Sequence, residues 1–106
     1  MNTFKKKEKG EEAKFAKEQE LKFKFISRRN KLFSQWASSL MNKNTEDTSD
    51  YVMGIISLYI DKPEDQNIID KIFNDLTSNN INITIEEVKN KFEECFEEAK
   101  NQLMGE

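Results

Sequence analysis

Histidine is absent from this chain of 106 residues, cysteine, proline and tryptophan occur once each, and there are three glycines. Without imidazole there is no Ser-His-Asp or Cys-His nucleophile, and none of the Glu-x-x-His pairs with which helical bundles hold two metal ions. Glycines at 10, 54 and 105 are too scattered for a phosphate-cradling loop or a dinucleotide fingerprint. The sequence therefore offers no catalytic residues and no metal site. Cys95 has no partner for an intramolecular bridge, which fits a reducing compartment, and it is expected to be a small core residue. No apolar run approaches the roughly 20 residues needed to cross a bilayer, and Met1–Gly10 lacks the apolar stretch of a secretory signal. A cytoplasmic protein without direct membrane insertion is expected. Scarce glycine and proline also argue against a sheet-rich fold with frequent tight turns.

What is present in abundance is charge. Charged residues make up 35% of the chain and hydrophobic ones 36%, so a core forms only if the apolar positions are gathered on stripes. The charge is divided along the chain. Residues 1–43 carry twelve Lys or Arg against five Glu, whereas residues 44–106 carry five Lys against fifteen Asp or Glu. A basic half argues for an acidic partner: nucleic acid, anionic lipid or an acidic protein groove.

The periodicity predicts an all-α four-helix bundle. Residues 1–10 are polar and lysine-rich and bury too little apolar area to offset the entropy of ordering them, so disorder is expected in the free chain. From Glu11 to about Met41, Leu21, Phe25, Ile26, Leu32, Phe33, Trp36, Ala37 and Leu40 recur at spacings of three and four, a core-facing stripe on one long helix. Trp36 is expected as a core anchor, and Phe23 falls off the arc. Asn42–Asn44 end this helix, and Thr45 or a neighbouring hydroxyl or acid caps the next, whose seam is Tyr51, Val52, Ile55, Ile56, Tyr59 and Ile60. Pro63 suits the first turn of a third helix, with Glu64 and Asp65 near its dipole and Ile68, Ile69, Ile72, Phe73 and Leu76 on its buried face. Ser78-Asn79-Asn80 stops it. Thr84 and Glu87 form a capping box for the fourth helix, which lines up Val88, Phe92, Cys95, Phe96, Ala99 and Leu103 against a glutamate-rich outer face.

Two groups of side chains bear on binding. Arg28, Arg29 and Lys31 are dense cations beside the core stripe, suited either to salt bridges with the acidic half or to an anion or nucleotide phosphate. Phe4, Phe15 and Phe23 sit among lysines, where aromatics serve a protein groove, a membrane surface or stacked bases. A nucleic-acid-binding or membrane-surface module using the basic first helix is the alternative to a protein-binding role. Against nucleic acid stand the net acidity of the whole and a cation set with only two arginines.

The first part of the chain resembles the zeta-type inhibitor subunit of the alphaproteobacterial F-type ATP synthase. The carrying motifs are Thr3-Phe4, Glu12-Ala13-Lys14-Phe15-Ala16, Glu20-Leu21-Lys22-Phe23-Lys24, and Arg28-Arg29-Asn30-Lys31-Leu32 with Trp36-Ala37. They align without a gap from Met1 to about Asn42, and the later helices match more loosely. The resemblance implies a regulatory protein rather than an enzyme: a bundle over residues 17–106, and a flexible segment over residues 1–16 that becomes helical between an alpha and a beta subunit of the catalytic sector. That insertion blocks ATP hydrolysis and holds the protein at the inner face of the cytoplasmic membrane while bound. By the same resemblance Thr3, Phe4, Glu8, Glu12, Ala13, Lys14, Phe15 and Ala16 belong to the inhibitory segment, and Leu21, Phe23, Arg28, Arg29, Leu32 and Trp36 hold the long helix to its bundle. Weak adenine-nucleotide binding by some members would fall here to Arg28, Arg29 and Lys31, with no other cofactor implied.

The chain departs from the family pattern at its start. Lys5 and Lys6 stand where the pattern is acidic, Lys7 and Lys9 where it has arginine, and Gly10 and Glu11 where it has a small and an aromatic residue. Weak inhibition is the expectation from these changes.

Overall fold

The computed structural model describes residues 2–105, with side chains from Lys14 onward. Its four helices are α1 (Asn2–Leu40), α2 (Thr45–Asp61), α3 (Asp65–Ser78) and α4 (Ile85–Met104), and the described residues contain no strand. The regular apolar stripe begins after Glu11, but the α1 helix extends back to Asn2. The side chains of Thr3, Phe4, Glu8, Glu12 and Ala13 lie outside the described residues.

Each helix boundary has a local cause. Asn42 and Asn80 adopt positive φ angles of 57° and 64°, the left-handed conformation that asparagine tolerates better than most residues. At the end of α1 the Lys43 amide donates to the Ser38 carbonyl and the Asn42 amide to that of Ser39. At the end of α3 the Ile81 and Asn80 amides do the same to Leu76 and Thr77. These paired bonds satisfy carbonyls that have no partner inside the helix. The capping box is formed: the Glu87 amide donates to Thr84 Oγ1 at 3.1 Å, and the Thr84 amide to Glu87 Oε1 at 3.2 Å. Two other starts differ from expectation. Asn44, one residue before Thr45, caps α2 by accepting from the Asp47 amide at 2.8 Å. Pro63 precedes α3 rather than opening it, because the helix starts at Asp65 with Glu64 as an N-cap lacking a side-chain bond.

Neighbouring helices run antiparallel, as cross-helix pairs record. Arg28 reaches Gln102 and Phe33 meets Phe92 between α1 and α4, while Tyr51 bonds Asp75 between α2 and α3. Phe33, Ala37, Ile55, Ile68, Ile69, Ile72, Leu76, Val88, Phe92 and Cys95 form one continuous core. Phe33 is its aromatic centre: it is fully buried, meets Phe92 edge-on with centroids 5.2 Å apart, and stacks on Trp36 at 5.8 Å. Trp36 is only partly buried and flanks the core rather than anchoring it.

The stripe on α1 is rotated from the expected one. Arg29, Asn30, Ser34 and Ser38 are buried beside Phe33 and Ala37, whereas Leu21 is 47% exposed. The serines are small enough to admit neighbouring helices closely, and Ser34 Oγ donates back to the Asn30 carbonyl at 2.7 Å. An apolar-only projection misses them because it counts side-chain character and not size.

Cys95 is buried in the core, as expected from its isolation in the sequence. Burial pushes its thiol from 9.0 up to about 11, with Lys91 opposing the shift and Glu98 and Glu94 adding to it. Burial also pushes the Tyr51 phenol upward, reinforced by its hydrogen bond to Asp75 and that carboxylate's charge. A thiol that stays protonated when folded but ionises when unfolded stabilises the fold fully below pH 9, and that contribution is lost as pH rises through about 11. Urea midpoints at pH 7, 9 and 10.5 should fall more steeply for the native chain than for Cys95→Ala, although the variant starts lower. Parallel pH profiles would remove the thiol from this account.

Candidate functional site

The packed part of α1 starts late. Every described side chain from Lys14 to Lys24 is exposed, Phe25 to Arg28 are partly covered, and Arg29 is the first buried one among the described residues. Phe15 and Phe23 are 63% and 65% exposed. On a projection of about 100° per residue both fall in the same arc as Phe33, Ala37 and Ser34. Phe23 therefore lies on the stripe and is exposed at the edge of the bundle, beside Ile56 and Leu103. Leu21 and Phe23 do not tie α1 down, whereas Arg28, Arg29, Leu32 and Trp36 all contact the bundle.

Arg29 fixes the root of this projecting segment. Its Nη2 donates to Asp65 Oδ1 at 2.9 Å and its Nε to Asn30 Oδ1 at 3.0 Å. The guanidinium carbon lies 4.3 Å from the Phe92 ring centroid and 5.7 Å from that of Tyr59. A buried cation needs such partners, because an unpaired one would cost several kcal/mol. This is a salt bridge to the acidic half, made by Arg29. Arg28 is partly buried and donates from Nη1 to Gln102 Oε1 at 2.8 Å, and Lys31 is exposed.

Two grooves flank the root. The first, about 710 Å³, runs between α1 and the α2–α3 junction; Phe25, Ile26, Tyr59 and Phe96 line it with Glu18, Glu64 and Asp65. The second, about 530 Å³, lies on the other flank, where Phe23, Ile56 and Leu103 meet Lys24, Arg28 and Lys31. The structure thus separates the three candidate cations: Arg28 and Lys31 share the second groove, and Arg29 lines the first. Sequence reading missed both grooves and the burial of Arg29. The available signal was the four-residue spacing of Asn30, Ser34 and Ser38, a polar stripe too small in volume to face only water.

Among the described residues no group of His, Cys, Asp and Glu is arranged to hold a metal ion, and no helix is long and apolar enough to cross a membrane. Glu93, Glu94, Glu97 and Glu98 on α4 are exposed to solvent.

No curated protein and no solved structure matches the chain. A family model described as ATPase inhibitor subunit zeta matches residues 1–102, which include the projecting segment, the first groove, all of the second but Leu103, and nearly all of α4. With that match running through every helix of the bundle, the chain belongs to the ATPase inhibitor subunit zeta family.

Proposed function

We propose that the protein is a regulatory subunit that binds the catalytic sector of the F-type ATP synthase and opposes ATP hydrolysis by inserting residues 1–16 between an alpha and a beta subunit. The observation that carries this reading is the projection of α1. A helix rooted in a packed core by Arg29 and Phe33 presents an exposed, lysine-flanked stretch from Lys14 to Lys24 in a member of an ATPase inhibitor family. Such a stretch gains from a partner the apolar contacts its own fold leaves open. Thr3, Phe4, Glu8, Glu12, Ala13, Lys14, Phe15 and Ala16 are the proposed contact residues. Phe15, at 63% exposure, is the described aromatic among them. An accompanying adenine-nucleotide site would take its phosphate contacts from among Arg28, Arg29 and Lys31, of which Arg28 and Lys31 line one groove.

Inhibition is expected to be weak. Gly10 lowers helix propensity by about 1 kcal/mol relative to alanine. Glu11 brings a charge to an anchor position, where burying it would cost several kcal/mol more. Titrating the purified catalytic sector with the native chain and with Gly10→Ala combined with Glu11→Phe, while following ATP hydrolysis, tests both statements. The restored chain should inhibit at roughly a hundredfold lower concentration, each tenfold being about 1.4 kcal/mol. Equal, potent inhibition by both would refute the weak-inhibitor reading, and no binding by either would refute the function itself.

A further inference from the structure

We infer that the partner-binding surface does not end at residue 16 but continues along α1 to Phe23 and into the groove beside it, where it receives an acidic, apolar-faced segment of the same protein partner. This inference rests on the proposed regulatory function and adds the surface on the bundle and the chemistry of what it meets. The groove floor is apolar, with Phe23 from α1, Ile56 from α2 and Leu103 from α4. Its rim carries Lys24, which pairs with Glu20 at 3.6 Å, Arg28, which donates to Gln102, and Lys31, and none of its lining residues is a carboxylate. The groove on the opposite flank sets Glu18, Glu64 and Asp65 against Lys22 and Arg29, the latter already paired with Asp65. This asymmetry selects the ligand, because a cationic rim around an apolar floor disfavours a basic segment and favours an acidic one.

Continuity with the projecting helix distinguishes a protein partner from a small anion. Phe15 and Phe23, both more than half exposed, lie on one stripe about 12 Å apart along the helix at 1.5 Å per residue. A single surface covering both would extend directly from the inserted segment to the bundle. A lone nucleotide in the groove would leave Phe15 uncovered. A large exposed aromatic with cations beside it is also the composition that carries most of the energy in protein interfaces.

The test uses the full chain carrying Phe23→Ala and Lys31→Glu together, positions exposed enough that circular dichroism and the urea midpoint should match the native chain. Binding to the purified catalytic sector is measured at two salt concentrations, alongside binding to vesicles of phosphatidylserine and phosphatidylcholine and to ATP. The double variant should bind the catalytic sector about tenfold or more weakly and lose part of its salt dependence. If the native chain binds the sector and the variant binds equally well, this inference fails while the proposed function stands. If the variant loses vesicle or ATP binding and keeps its affinity for the sector, the groove serves lipid or nucleotide and the inference is likewise overturned. If the native chain does not bind the sector, both fail together.

Discussion

Deleting residues 1–16 is expected to abolish inhibition of ATP hydrolysis and to weaken binding to the catalytic sector by about a thousandfold or more, while leaving a cooperatively folded bundle. The reasoning rests on where burial starts. Lys14 through Lys24 are exposed and the first buried side chain among the described ones is Arg29, so the cut falls more than ten residues from it. None of the described core residues, from Phe33 to Cys95, lies within the deleted stretch. The urea midpoint should therefore stay close to that of the full chain, and the helical signal should fall only in proportion to the residues removed. A truncated chain that unfolds without cooperativity would mean that the segment packs on the bundle. One that still inhibits fully would transfer the inhibitory role to the bundle.

The second large effect is expected at Phe33. Replacing this fully buried ring with alanine removes its contacts with Phe92 and Trp36 and leaves a cavity at the centre of the bundle. Phe→Ala changes at such positions cost about 3–5 kcal/mol. Small domains have about 5–15 kcal/mol in total, so the variant should be marginal at 37 °C. Trp36→Ala should cost less, because Trp36 is only partly buried at the flank and part of its ring already faces solvent. Comparing the two variants by thermal and urea unfolding checks the assignment. A larger loss at Trp36 than at Phe33 would place the aromatic centre on the wrong residue.

The bundle itself was readable because its signals are local and redundant. Thr84 and Glu87 fixed the start of α4 through a hydrogen-bond pattern that needs only residues three apart. Ile68, Ile69, Ile72 and Leu76 marked the buried face of α3 by spacing alone. The misplaced start at Asn44 reflects competition among adjacent capping side chains that differ little in energy, whereas the start at Asp65 carries no side-chain cap to read. The inner face of α1 was harder to read, since Arg29 is buried only by virtue of Asp65, Phe92 and Tyr59. Those partners come from three other helices, and no window on α1 contains them. The same reason hid the groove at Phe23: its floor is assembled from residues 23, 56 and 103. Residues 1–16 are legible through motif resemblance, and the family match runs from residue 1 to 102.

The uneven distribution of charge along the chain gives the molecule an electric dipole. A cationic leading helix and an anionic trailing body turn together in the field of a negatively charged target before any surfaces touch. Orientation of this kind acts on the association rate and fades as salt shortens the screening length, about 10 Å at 0.1 M. Dissociation is governed instead by short-range apolar contacts, of which Phe15 and Phe23 are the described candidates. Raising the ionic strength should then slow capture without hastening release, so a complex already formed would outlast conditions under which a new one forms only slowly.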